Sequence, residues 1–126
     1  MKVKFLSTVR RRIAVIGLGY VGLPTAVELF EAGHTIIGVD VSTSVIESLS
    51  NGVNHLNDNS EDISIPTISD RWNLFSNYDD SIGDSDVIII TLPTPITSRN
   101  EPDLSFVDSS IGEIMKLIRK ESGTII

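Results

Sequence analysis

The chain has 126 residues, 40% of them hydrophobic, and 17 acidic against 10 basic side chains give a formal charge of −7. That length holds one domain around one core and excludes two independent ones. The acidic balance argues against a surface built to attract nucleic-acid phosphates and for a small organic ligand.

There is no cysteine, which excludes disulfides, thiolate metal sites and a cysteine nucleophile within these residues. No apolar stretch approaches the ~20 residues of a membrane helix or has the form of a signal peptide, so the expected compartment is the cytoplasm.

Half of the basic residues (Lys2, Lys4, Arg10, Arg11, Arg12) precede the first apolar run, and residues 1–11 read as a solvated lead-in rather than a nucleic-acid arm. The β-rich run Arg12–Ile16 predicts a strand. It ends in GLGYVG, residues 17–22, after which Ala26, Val27, Leu29 and Phe30 recur at helical spacing. Gly33 signals the helix end, and Thr35–Val39 reads as a second strand closing at Asp40, which completes a βαβ unit. A short helix Thr43–Ser50 follows, stopped near Asn51 and Gly52.

Residues 51–71, rich in Asn, Asp and Ser, form an irregular excursion. Trp72–Phe75 suits a short third strand and residues 79–82 a helical turn. The continuous apolar run 87–92 suits a strand buried on both faces of a parallel sheet. After LPTPITSRNEP, Asp103 is placed to cap a helix with apolar positions Leu104, Phe106, Val107, Ile111, Ile114, Met115 and Ile118. Residues 124–126 begin a fifth strand, where the sequence stops, giving the expectation of a chain truncated after that strand. No repeat or low-complexity tract is visible.

The glycine run carries the chemistry. A helix N-terminus exposes unpaired N–H groups and a partial positive charge, and accepts a diphosphate where the backbone can approach closely. Gly17 fits the tight turn, Gly19 the approach to the diphosphate, and Gly22 the packing of helix on strand. Alone the spacing is weak. Here it follows a strand, opens a helix and precedes, by roughly 20 residues, an acid at a strand end. The Asp40 carboxylate can accept bonds from the adenosine ribose and repels a 2′-phosphate, which favours NAD over NADP.

In a doubly wound sheet the fourth strand borders the same crevice, so residues 91–95 are the second expected contact. Pro93 and Pro95 stiffen this loop, and Thr94 can face the nicotinamide side; a rigid turn without ligand contact is the alternative. Glu101 and Asp103 pair on paper, but a Pro-Asp ahead of an apolar helical run is a helix start. His34 and His55 have no companions at metal-ligand spacing and read as structural or exposed, so no metal site is expected. Tyr20 reads as packing rather than chemistry.

These stretches, IAVIGLGYVGLPTAVEL, GHTIIGVD, DVIIITLPTP and EPDLSFV, resemble the N-terminal domain of UDP-glucose/GDP-mannose dehydrogenases over nearly the whole chain. The EPDLSFV variant looks most like the branch acting on UDP-N-acetyl-hexosamines. The resemblance implies NAD contacts at Gly17, Gly19, Tyr20, Val21, Gly22, Asp40, Thr91, Leu92, Pro93 and Thr94. It also implies two NAD-dependent hydride transfers that take the C6 alcohol of a UDP-sugar to a carboxylate, through a thioester on a cysteine of a later domain.

That cysteine, its helper lysine and asparagine and a glutamate-serine-threonine motif would all lie beyond Ile126. No catalytic residue is therefore expected in this chain, nor turnover by it alone. Val45 stands where family members carry Lys or Arg, which implies weaker NAD affinity, and the glutamate-proline segment after the second helix is not recognisable in residues 54–65.

The fold expected is α/β, a Rossmann-type doubly wound parallel sheet in three αβα layers with strand order 3-2-1-4-5 over residues 12–126. Expected partners are NAD and, in a full-length parent, a UDP-sugar; no nucleic acid or membrane partner is expected, and a homo-oligomer is left open. Two rivals remain: a stand-alone nucleotide-sensing module, and the N-terminal domain of another two-domain dehydrogenase of the hydroxyisobutyrate or phosphogluconate type.

Overall fold

The computed structural model describes residues 9–56, 63–78, 80–92, 99–101, 104–117 and 124–125. Five strands, β1 (Arg12–Ile16), β2 (Thr35–Val39), β3 (Trp72–Phe75), β4 (Val87–Ile90) and β5 (Thr124–Ile125), pair in parallel in the order β3-β2-β1-β4-β5. This is the expected strand order. β1 and β2 are rich in β-branched apolar residues because helices cover both faces, so neither strand alternates with polar residues.

The pleat divides the core in two. Ile13, Val15, Ile36 and Trp72 point to one face and pack with Leu23, Ala26, Val27 and Leu29 of helix α1 (Gly22–Glu31) and Leu49 of α2 (Thr43–Ser50). Ala14, Ile16, Ile37, Val39 and Ile88 point to the other, against Ile82 of the short 3-10 segment Asp80–Asp84 and Ile114 of α3 (Ser105–Leu117). Each large aliphatic side chain buried here contributes about 1.5–3 kcal/mol of transfer free energy, and the three αβα layers follow from that two-sided burial.

Helix α1 stops where expected: Gly33, at φ +105°, takes the left-handed position that ends it. Beyond the helix, Arg71 donates to the Phe30 carbonyl at 2.6 Å and the His34 carbonyl at 3.1 Å, and its guanidinium lies 4.3 Å from the centre of the Phe30 ring. Phe30 in turn meets buried Trp72 edge-on at 5.5 Å. The lead-in is tied down at its end, since the Arg11 amide donates to His34 Nδ1 at 3.0 Å and the Arg11 carbonyl accepts from Thr35.

Several expectations need correction. β4 ends at Ile90, two residues short of the expected run, because Thr91 turns toward the glycine loop. The helical turn falls at Asp80–Asp84 as a 3-10 segment rather than at 79–82. Among the described side chains of α3 the buried ones are Ser110 and Ile114, with Val107, Ile111 and Leu117 partly covered, while Met115 and, just before the helix, Leu104 are 56% and 51% exposed. The excursion 51–71 is less detached than its composition suggests: Leu56, Ile63 and Ile65 pack against the α1/α2 side of the core. The proposed cap Asp103, the loop residues Pro93, Thr94 and Pro95, and residues Asp79, Phe106 (side chain), Ile118 and Ile126 lie outside the described set. No helix among the described residues is long and apolar enough to cross a membrane.

Candidate dinucleotide site

Because every strand runs the same way, the ends of β1, β2 and β4 meet along one edge of the sheet. There the chain crosses from β1 into α1 through Gly17, Leu18 and Gly19. Gly17 has φ +94°, and a Cβ on it would lie 2.7 Å from the Thr91 carbonyl oxygen, so conformation and space both demand glycine. At Gly22 a Cβ would overlap the Gly17 carbonyl oxygen and come within 2.5 Å of Thr91 Oγ1. A Cβ on Gly19 meets nothing within 4 Å. The third glycine is thus required by packing within the chain, whereas the second faces open space.

The loop peptides are held one after another. Thr91 Oγ1 lies 2.8 Å from the Gly17 carbonyl oxygen and 3.2 Å from that of Ile16, while the Leu18 amide at the other end of the Gly17–Leu18 peptide donates to Asp40 Oδ2 at 3.0 Å. The Leu18 carbonyl accepts from His55 Nε2 at 2.6 Å, and the Gly19 carbonyl from the Leu23 amide at 3.0 Å. The second Asp40 oxygen accepts from Ser42 at 2.9 Å. Among the described residues, the amides of Gly19, Tyr20, Val21 and Gly22 have no acceptor, and α1 has Val21 at its N-cap with no side-chain cap bond, whereas α2 is capped by Ser42.

These features fit a dinucleotide. An uncapped helix start, open amides beside it and a glycine with free space form an anion cradle. Asp40, just past the end of β2, has two oxygens that accept from the Leu18 and Ser42 amides and can each accept a second bond. From Ile13 to Asp70 the sequence contains neither lysine nor arginine, so no cation beside Asp40 in that span would compensate a 2′-phosphate.

The structure brings together Gly17, Gly19, Tyr20, Val21, Gly22, Asp40, Thr91 and Leu92; Pro93 and Thr94 lie outside the described residues. One reading changes. Tyr20 does not pack within the chain, since it and Val21 are 63% and 67% exposed on the rim of the cradle. The Thr91 hydroxyl is turned into the loop, where it locks β4 to β1. Val45, on α2, is partly buried against the core.

His55, read as structural or exposed, reaches the cradle from 37 positions away, and no spacing signal could have placed it there. His34, at the opposite edge, is buried; burial first, and then the positive charges of Arg11 and Arg71, lower its pKa from the usual value of 6.5.

Sheet order, glycine cradle and strand-end acid define a Rossmann-type dinucleotide-binding domain. The sequence profile of the UDP-glucose/GDP-mannose dehydrogenase family, NAD binding domain, matches residues 11–126, and the chain belongs to that family, with NAD as its cofactor. The UDP-N-acetyl-D-mannosamine dehydrogenase of Pyrococcus horikoshii is 32% identical over 116 residues, 91% of this chain and 28% of that protein. The UDP-N-acetyl-D-glucosamine 6-dehydrogenase of Salmonella typhi is 40% identical over 99 residues, 75% of this chain and 21% of that protein.

Among solved structures, the UDP-D-ManNAc dehydrogenase of Pyrococcus horikoshii superposes with a TM-score of 0.75 at 28% identity, covering 90% of this chain and 28% of that one. A 3-hydroxyisobutyrate dehydrogenase of Mycobacterium tuberculosis, 20% identical with a TM-score of 0.61 over 92% of this chain and 31% of its own, shares the fold alone. The chain spans 28% or less of the length of these curated relatives.

Proposed function

We propose that this chain is the NAD-holding part of a nucleotide-sugar 6-dehydrogenase acting on a UDP-N-acetyl-hexosamine, the sugar class that its relatives' names carry. The observation that carries this reading is the convergence, at one sheet edge, of the open amides of residues 19–22, the uncapped start of α1 and the Asp40 carboxylate.

In this reading Gly19 admits the diphosphate, the amides beside it and the helix start stabilise its charge, and Asp40 receives the adenosine ribose. Tyr20 and Val21 flank the cofactor on the exposed rim, and residues 91–94 border its nicotinamide half. Bound NAD supplies the hydride acceptor for oxidation of the sugar C6 alcohol. The 126 residues contain no cysteine, so they do not themselves furnish the thiol that the family resemblance implies, and sugar oxidation is assigned to a larger assembly of which residues 12–126 form the cofactor domain.

Calorimetric titration with NAD and NADP tests this. Saturable NAD binding with NADP at least about tenfold weaker, a difference of about 1.4 kcal/mol, supports the reading. No NAD binding at millimolar concentration refutes it.

A further inference from the structure

We propose that His55 is a positioning residue of the dinucleotide site: by holding the Leu18 carbonyl it sets the loop peptide that presents the Gly19 amide to the diphosphate. This rests on the NAD reading above.

A backbone carbonyl can only accept, so the 2.6 Å contact requires His55 Nε2 to carry the proton. Among the described residues there is no cis peptide bond. In a trans peptide the carbonyl and the following amide point in opposite directions, and fixing the Leu18 carbonyl on His55 directs the Gly19 amide to the other side, where no described residue accepts from it.

The preceding peptide is held by Thr91 and Asp40, and the carbonyl after it by Leu23. Without His55, the Leu18–Gly19 peptide would be the one of the three peptides from Gly17 to Tyr20 with neither end bonded among the described residues. A rotation of that peptide would turn an electronegative oxygen toward the cradle in place of an N–H, opposing an anion there. The neighbourhood has little else to offset such a change, since no lysine or arginine occurs from Ile13 to Asp70.

His55 acts through the loop and touches no ligand atom in this scheme, so its substitution should alter affinity for diphosphates selectively. The probes are adenosine, which lacks the diphosphate, and ADP, which has it. His55→Phe should weaken ADP and NAD by about five- to tenfold, the range expected for one lost hydrogen bond that orients an anion site, and leave adenosine unchanged. His55→Gln, which can place an amide donor near the Nε2 position, should restore most of the ADP affinity.

An unchanged ratio of ADP to adenosine affinity in His55→Phe overturns the proposal, as does failure of His55→Gln to restore ADP binding while it melts like the unsubstituted chain. Should His55→Phe not fold, nitrogen NMR of the unsubstituted chain decides: a protonated, exchange-protected Nε2 supports the clamp, and an unprotonated Nε2 overturns it. Absence of ADP and NAD binding by the unsubstituted chain would instead remove the dinucleotide reading on which the proposal stands, and the NMR arm separates that failure from failure of the clamp.

Discussion

Alanine substitutions at Gly19 and Gly22 should separate the ligand site from the packing that supports it. A methyl group at Gly22 overlaps the Gly17 carbonyl oxygen and approaches Thr91 Oγ1 to 2.5 Å, below the 3.0 Å that real Cβ contacts respect. Helix α1 must then retreat from the β1 end by something on the order of 1 Å, or the Thr91 bond must break. Overpacking of this kind costs about 1–3 kcal/mol, and loss of the Thr91 bond adds about 1 kcal/mol. For a domain of this size Gly22→Ala should therefore lower the melting temperature by roughly 6–15 °C.

At Gly19 the same methyl enters open space, with no atom within 4 Å. Folding stability should change by no more than about 0.5–1 kcal/mol, and an increase is possible because alanine narrows the unfolded ensemble. Affinity for NAD should nevertheless fall by at least about tenfold, because the methyl occupies the volume through which the diphosphate reaches the backbone. The assays are thermal melting of the free chain and calorimetric titration with NAD. If Gly19→Ala binds NAD like the unsubstituted chain, the diphosphate does not lie against Gly19 and the cradle is misassigned. If Gly22→Ala melts like the unsubstituted chain, the junction of β1, β4 and α1 is not tightly packed.

Thr91→Val should destabilise the chain by about 1–2 kcal/mol in urea unfolding, because the Gly17 carbonyl loses its side-chain donor, while Thr91→Ser should retain most of the stability; equal losses in both would show that the hydroxyl is not the lock. Arg71→Ala removes two bonds to carbonyls at the end of α1 and the cation over Phe30, and should cost about 2–3 kcal/mol by the same assay. Arg71→Lys should recover only part of this, since one ammonium does not reproduce the guanidinium geometry; full recovery would count against the arrangement.

His34 supplies a pH dependence. Its folded pKa lies below 6.5, so the unfolded chain takes up the proton first as pH falls. The stability from keeping this group neutral is complete above about pH 6.5 and is lost as pH falls toward the lowered folded value. His34→Asn keeps an acceptor for the Arg11 amide without titrating, and its melting temperature should fall less between about pH 7 and pH 5 than that of the unsubstituted chain. Identical pH slopes would refute this.

Much of the fold can be read from the sequence because its determinants are local. β-branched runs specified β1 and β2, helical spacing placed α1, Asn51 and Gly52 marked the stop of α2, and a glycine that tolerates positive φ marked the end of α1. The GLGYVG turn and Asp40 also form a local pattern, since a strand, a turn, a helix and a second strand bring an acid about 20 residues away to the same edge. The strand order, which sets β4 beside β1, follows from general rules of parallel topology rather than from any one residue.

Tertiary structure alone decided how those parts are fastened. The Thr91 lock, the His55 clamp and the Arg71 bridge join side chains to backbone carbonyls 74, 37 and 41 positions away. A carbonyl has no residue type, so such a bond leaves no signature in composition or spacing. The same limit explains α3, whose apolar residues suit more than one helical face: the contact with Ile82 and the sheet turned Ser110 and Ile114 inward and left Leu104 and Met115 outside. Sequence determined what this edge presents, because only glycine fits at positions 17 and 22 of the turn and an acid, Asp40, follows the second strand. The assembled sheet determined which groups hold the turn in place, because that depends on what the fold brings beside it.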